Sequence, residues 1–340
     1  MRVELFSCAG GMAQGFRRAG LPLDLAIDSD PVHCDSYEFN IGHRPICVDA
    51  RDLLRFVGAL RPMLRTELVV ADPPCTPWSR AGKRLGQGDE RDMLGVTIEL
   101  LAILQPAMWL VANVPGLDDE ANWETVVQPV IGGFAQGSGY CVDFARLDAA
   151  DYGVPQHRVR PFWFGHRKGS PCIRWPEPSH CDPALLATLP LPGVPALSPW
   201  VTCREALGHL PPKEMGRPVG RRRNEWPWER PATTVTADPR LPPAGHHDRW
   251  PWSAPATTVY AETSQLAAHG KGSPGSRPGA IALSLRAAKI LQGFPEEWVV
   301  AGRSKAAQWR QVGQAMPPPL AAAVARSVAE QMSAATRRAA

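Results

Sequence analysis

Short apolar runs rich in β-formers alternate with stretches of helical periodicity over the first half of the chain. Strands are expected at Val3–Phe6, Leu23–Ile27, Leu68–Ala71, Met108–Val111, Val142–Leu147 and Phe162–Gly165. Helical spacing of apolar residues marks Met12–Ala19, Leu53–Leu64 and Met93–Leu104 between them. Such alternation predicts an α/β fold, a parallel sheet with helices on both faces. Ligands of these folds gather at the carboxyl ends of the strands.

The pattern changes after His166. From Arg167 to about residue 280 the chain is rich in Pro, Gly, Trp and Arg and poor in long apolar runs, which predicts a second, smaller, loop-rich domain. Within it Trp226-Pro-Trp-Glu-Arg-Pro-Ala-Thr-Thr-Val235 recurs as Trp250-Pro-Trp-Ser-Ala-Pro-Ala-Thr-Thr-Val259; two copies are too few for a solenoid. Helical patterning returns from Leu283, and Leu320–Met332 reads as a terminal helix able to dock on the first domain. The expected division is 1–166, 167–280 and 281–335.

Composition narrows the class. At 340 residues with 44% hydrophobic and 21% charged residues, the chain has the makings of an ordinary globular protein. A net charge of +4 permits a polyanionic partner without requiring one. No apolar stretch approaches a membrane span, and the first strand begins at Arg2 with no signal pattern before it, so a cytoplasmic protein is expected. The eight cysteines (Cys8, Cys34, Cys47, Cys75, Cys141, Cys172, Cys181, Cys203) form no C-x-x-C pair. Most are expected to be reduced, small core residues, and no metal site is expected.

Candidate chemistry falls at the strand ends. Glu4-Leu-Phe-Ser-Cys-Ala-Gly-Gly11 closes a strand and opens a helix with small residues, which lets backbone N–H groups approach a ligand. Asp28 follows the second strand, where a carboxylate can accept ribose hydroxyls, and Asp49 closes the next region, within reach of an adenine amino group. In Asp72-Pro-Pro-Cys-Thr-Pro-Trp-Ser79 three prolines restrain the loop around Cys75, a thiol placed to attack an electrophilic carbon. Arg158 and Arg160 have the spacing of one strand face.

From Val3 to about Ala329 the chain resembles the DNA cytosine-C5 methyltransferase family, with its motifs in order. The resemblance is carried by Glu4–Gly11, Asp72-Pro-Pro-Cys75, Asp89-Glu-Arg-Asp-Met-Leu94, Asn113-Val-Pro-Gly116 and Asp151-Tyr-Gly-Val-Pro-Gln-His-Arg-Val-Arg160. It continues through Arg230-Pro-Ala-Thr-Thr-Val235, Leu291-Gln-Gly-Phe-Pro295 and Val312-Gly-Gln-Ala-Met-Pro317.

The resemblance implies a Rossmann-like sheet using S-adenosylmethionine (or a related sulfonium donor) with a target-recognition domain that binds double-stranded DNA. It implies Cys75 as nucleophile for C6 of a flipped-out cytosine, with Arg158, Arg160, Gln156 and Asn113 in support. Phe6, Ser7, Cys8, Gly10 and Gly11 correspond to the methionine end of the donor, and Asp28 and Ser29 to the ribose. Asp49 and Ala50 correspond to the adenine, and Pro74, Leu94, Gln314 and Met316 to the rest. Ser79, Arg80, Lys83, Arg217, Arg221, Arg222, Arg223 and Arg230 are the expected DNA contacts. A monomeric bacterial or phage enzyme, of the kind found in restriction-modification, is implied.

Three departures stand out. Ala112 occupies the place of the family's glutamate before Asn113-Val114, which ordinarily activates the cytosine ring; Gln314 replaces a common Asn and Cys8 a usual Gly. Losing one such stabiliser typically costs on the order of 10²-fold in rate. A catalytically weakened or donor-altered family member that acts as a DNA-binding protein or makes a different C5 modification, and an RNA cytosine-C5 methyltransferase, therefore remain open alternatives.

Overall fold

The computed structural model describes residues 1–74, 92–186, 197–211, 214, 216–218 and 281–339. The Trp-Pro-Trp repeat lies outside them. The chain divides into two compact units: Met1–Leu147 with Val159–Pro176 and Ala321–Ala340, and Asp148–Arg158 with Glu177–Leu320.

The first unit is built on a seven-stranded sheet. Its strands are β1 (Arg2–Leu5), β2 (Leu25–Asp28), β3 (Ile46–Cys47), β4 (Leu68–Ala71), β5 (Met108–Ala112), β6 (Tyr140–Asp148) and β7 (Val159–Arg167), in the order β3-β2-β1-β4-β5-β7-β6. β1 pairs in parallel with both β2 and β4, so chain order reverses at β1/β4, which opens a crevice at the carboxyl ends there. The sheet is not wholly parallel, as the sequence pattern suggested. β7 runs antiparallel to β5, because the connection from β6 holds only a 3-10 turn (Ala149–Tyr152) and no crossover helix. The strands that alternate apolar residues with no polar interruption are buried throughout: β4 and β5 expose no residue.

Helix ends follow local chemistry. α1 (Gly11–Arg18) begins directly after the loop that ends β1. α2 (Pro31–Ile41) starts where Asp30 accepts from Val32 N at 2.8 Å and stops at Gly42, φ 98°. The single helix expected over Leu53–Leu64 is two, α3 (Ala50–Leu53) and α4 (Val57–Leu64). Tight i+3 bonds from Arg55 N to Asp52 O and Phe56 N to Leu53 O reset the register, which keeps Leu53 and Val57 buried and leaves Phe56 exposed. α5 (Leu94–Leu104) packs into the core formed with Trp109, Val111, Val126 and Tyr140. The terminal helix Pro318–Ala339 is longer than expected, and its part from Ala321 belongs to the first unit. No helix among the described residues is long and apolar enough to cross a membrane.

In the second unit the helices Cys203–Leu207, Leu285–Leu291 and Lys305–Gln314 enclose a core of Cys203, Leu207, Ala288, Leu291, Trp309 and Val312. Thr202 and Glu205 cap the first of these reciprocally. Gly216–Pro218 pairs antiparallel with Ile281–Leu283, so residues 219–280 leave and re-enter at one place. None of the seven described cysteines forms a disulfide, but only Cys34 and Cys203 are buried; Cys47, Cys141 and Cys172 are exposed, against the expectation of core residues.

Trp109 faces Gly165 across the β5–β7 ladder, and a Cβ added at Gly165 would overlap the indole ring. Gly165→Ala should therefore destabilise the protein by about 2–3 kcal/mol or more in urea unfolding. Gly137→Ala, on an exposed helical turn with open space around it, should be neutral or stabilise by about 0.5–1 kcal/mol.

Candidate active site

The loop that follows β1 carries three left-handed residues, Phe6 (φ 60°), Cys8 (φ 47°) and Gly10 (φ 85°). Two of them are not glycine, and such geometry persists only where surroundings hold it. Ser7 N donates to Ile27 O at 3.1 Å and Gly10 N to Ser7 O at 3.0 Å. Cys8 N donates to Asp28 Oδ2 at 2.8 Å. The loop thus delivers the amino end of α1 to the crevice.

Asp28 ends β2 and does more than await a ligand. Its Oδ1 also accepts from Asp30 N at 2.9 Å and lies 3.0 Å from His33 Nδ1. Burial alone would raise its pKa, but His33 and the two N–H groups outweigh it and hold the carboxylate below its usual range. Glu4, in β1 beneath the loop, goes the other way. Burial pushes it up to about 8, Tyr37 O–H (3.1 Å) offsets part of this, and the charges of Asp28 and Asp72 add to it. Burial and Asp28 also raise the Cys8 thiol well above its ordinary value, so it stays neutral.

Ser29 is exposed at the end of β2. Asp49 caps α3, with Oδ1 accepting from Arg51 N at 2.8 Å, and Ala50 is the buried first residue of that helix. Leu94 is buried at the start of α5, its N–H on Asp92 Oδ1 at 3.1 Å.

Asp72, Pro73 and Pro74 leave the carboxyl end of β4. Asn113, buried just beyond β5, donates from Nδ2 to Pro73 O at 3.4 Å and accepts from Val114 N at 2.9 Å. It stitches the proline loop to the neighbouring strand. Ala112 closes β5, fully buried and opposite Phe162. Arg160, on β7, is buried with Nη1 on Val159 O at 3.0 Å.

The remaining site residues belong to the second unit. Arg158 is buried, its N–H on Asp148 Oδ1 at 2.8 Å and its Nη2 on Gly313 O at 2.9 Å. Gln156 is buried and donates to Gln292 Oε1 at 2.9 Å and Leu291 O at 3.3 Å, so two distant motifs are one bonded cluster. Gln314 ends the helix Lys305–Gln314, and Met316 is buried just after it. Cys75, Ser79, Arg80, Lys83, Arg221, Arg222, Arg223 and Arg230 lie outside the described residues, and of Arg217 only the backbone, in its short strand, is described. Sequence reasoning missed Glu4, Tyr37 and His33 as supports of the loop. An acid inside an apolar strand was the available signal for Glu4.

A switch-point crevice with a tight glycine loop after β1 and an acid after β2 defines a nucleoside-cofactor methyltransferase fold. Residues 1–189 and 217–330 match the model of the C-5 cytosine-specific DNA methylase family, and the chain belongs to that family. It is a DNA cytosine-C5 methyltransferase with S-adenosylmethionine as methyl donor. The chain is 28% identical to the Type II methyltransferase M.NgoMIV of Neisseria gonorrhoeae, covering 96% of each. It is 32% identical to M.AquIA of Picosynechococcus over 62% of this chain and 88% of that one. In fold it is similar to a prophage-encoded DNA modification methyltransferase of E. coli (TM-score 0.64, 19% identity, 98% and 99% coverage). The S. pombe Dnmt2 methyltransferase is likewise similar (TM-score 0.59, 16% identity, 98% of each chain).

The described residues fit the donor: Ser7 Oγ is buried with no hydrogen-bond partner among them, inside the left-handed loop.

Glu4 gives a pH signature. In the folded protein it keeps its proton up to about pH 8, whereas unfolded it ionises near the ordinary glutamate value of 4.5. The unfolded state then binds fewer protons, so stability falls as pH rises through this window, by an amount on the order of a few kcal/mol. Glu4→Gln should remove that slope in urea titrations across the window.

Proposed function

We propose that the protein methylates C5 of a cytosine flipped out of double-stranded DNA, through a covalent bond between Cys75 Sγ and C6. The observation that carries this is the anchoring of Asp72-Pro-Pro74, immediately before Cys75, beside the loop after β1 at the strand-order reversal. Cytosine C5 is a poor nucleophile. Addition of the Cys75 thiolate to C6 turns C5 into the carbon of an enamine. Bound S-adenosylmethionine supplies a methyl group on a positively charged sulfur. Loss of the C5 proton and elimination of Cys75 restore the ring.

The chain's own residues support these steps. Phe6, Ser7, Cys8, Gly10 and Gly11 hold the methionine end, with Asp28 and Ser29 at the ribose. Asp49 and Ala50 hold the adenine, with Pro74, Leu94, Gln314 and Met316 around the rest. Ionised Asp28 and the neighbouring Asp72 make this end of the crevice favourable for a sulfonium charge. Arg158 and Arg160 face the cytosine oxygen, Gln156 and Asn113 position the loops around it, and residues 167–280 read the DNA. In that segment Arg217, Arg221, Arg222, Arg223 and Arg230 contact it, joined from the Cys75 loop by Ser79, Arg80 and Lys83. Extrusion of the base costs a few kcal/mol, which those contacts must offset. The relatives are named Type II methyltransferases, which supports a role in marking sites within a restriction-modification system.

The direct test offers duplex DNA substituted with 5-fluorocytosine, which blocks loss of the C5 substituent. A covalent complex should form with the wild-type protein and donor and be absent from Cys75→Ser; a complex formed equally well by that variant would overturn the nucleophile assignment.

Ala112 puts a methyl group where a carboxyl would activate the ring. Single-turnover methyl transfer should be slow, and Ala112→Glu should speed it by roughly 10²-fold, the usual worth of a positioned acid. The same residue favours a second reading, DNA binding without turnover. Donor and DNA binding with no tritium release from cytosine C5 would select it.

A further inference from the structure

At the other end of the sheet, three side chains of the first unit converge without any place in the reaction above. Lys168 N donates to Gly139 O at 3.1 Å, opening the antiparallel β6–β7 ladder. This register sets Cys141 across from His166, with Asp143 two residues further along the same face. His166 is opposite Met108, the first residue of β5, and so at the amino end of the parallel strands, away from the crevice.

His166 is 1% exposed. Its Nδ1 lies 3.3 Å from Arg167 O, so a ring proton on that nitrogen leaves the Nε2 lone pair available to an ion. Nε2 stands 3.1 Å from Asp143 Oδ2, yet it is buried with no aligned hydrogen-bond partner among the described residues. A nitrogen lone pair facing a carboxylate oxygen is repulsive unless a cation lies between them. Cys172 completes the group: the ligand atoms of Asp143, His166 and Cys172 all lie within 4.8 Å of one another.

The loop is held for this arrangement. Ile173 N donates to Asp143 Oδ2 at 2.9 Å, and Gln331 Nε2 donates to Pro171 O, so Cys172 is fixed on both sides. Hydrogen bonding to Asp143 raises the Cys172 thiol pKa, with a further contribution from nearby Cys141.

We propose that Asp143, His166 and Cys172 bind one divalent ion of the zinc type, with the fourth position left to solvent. Sulfur, imidazole and carboxylate together suit such an ion, whose ligands sit about 2.0–2.3 Å from it. Binding replaces the Cys172 thiol proton, which passes to solvent, with a metal–sulfur bond. The ion's place at the sheet edge makes it structural: it clamps residues 168–173 to β6 ahead of the crossing into the second unit.

The test uses full-length, tag-free protein freed of metal by chelation and titrated with cobalt(II). One equivalent should give tetrahedral visible bands and a sulfur-to-cobalt charge-transfer band, both displaced by zinc. Cys172→Ser, an exposed and conservative change, should abolish the charge-transfer band. His166→Gln should lower affinity by more than the roughly 10–100-fold worth of an outer-shell partner. No stoichiometric cobalt, or bands that survive both Cys172→Ser and His166→Gln, would overturn the proposal and leave an ordinary histidine–carboxylate contact. Bands lost in Cys75→Ser instead would overturn it as well.

Discussion

The cofactor end of the crevice depends on one carboxylate. Asp28 ties the end of β2 to the loop after β1 through Cys8 N and to the start of α2 through Asp30 N and His33. Without it the left-handed geometry at Phe6 and Cys8 would have no charged anchor, and the amino end of α1 would lose its aim. The same bonds let a largely buried Asp28 remain ionised. Its charge in turn helps keep Glu4 below it protonated. Two neighbouring acids are thus separated into a charged and a neutral member, one organising the loop and the other buried beneath it.

The opposite side of the crevice rests on backbone bonds. Asn113 reaches Pro73 O, which ties the ends of β4 and β5 together. Ala112 lies beside this junction, fully buried and packed opposite Phe162. The bond that holds the proline loop is therefore present beside Ala112. Substitution at Ala112 changes the chemistry available to the strand without disturbing the hydrogen bonds that place it.

Much of this was legible in the sequence, for physical reasons that also explain the gaps. β4 and β5 are apolar runs bounded by loops and announced themselves; β3 is two residues long with Ile46 exposed, too short to leave a pattern. The direction of β7 depends on what fills the β6–β7 connection, which periodicity does not report. Ordered motifs gave the family and the candidate residues, but not the partners of those residues. Gln156 bonds Gln292, and Asp28 is already engaged by backbone N–H groups, neither of which is visible until distant segments are brought together. The Asp143–His166–Cys172 cluster escaped because its members follow no ligand spacing along the chain and meet only through strand register.

The bonds from Gln156 to Gln292 and from Arg158 to Gly313 join residues far apart in the chain. They bear on the order in which the molecule can be made. A ribosome finishes β7 long before residues 285–320 emerge, and until then a guanidinium destined for burial has no carbonyl to meet. In the nascent chain Arg158 lacks this carbonyl until 155 further residues have been translated. A message truncated before Gly313 would leave the Gln-x-Arg segment unable to close, however complete its own sequence.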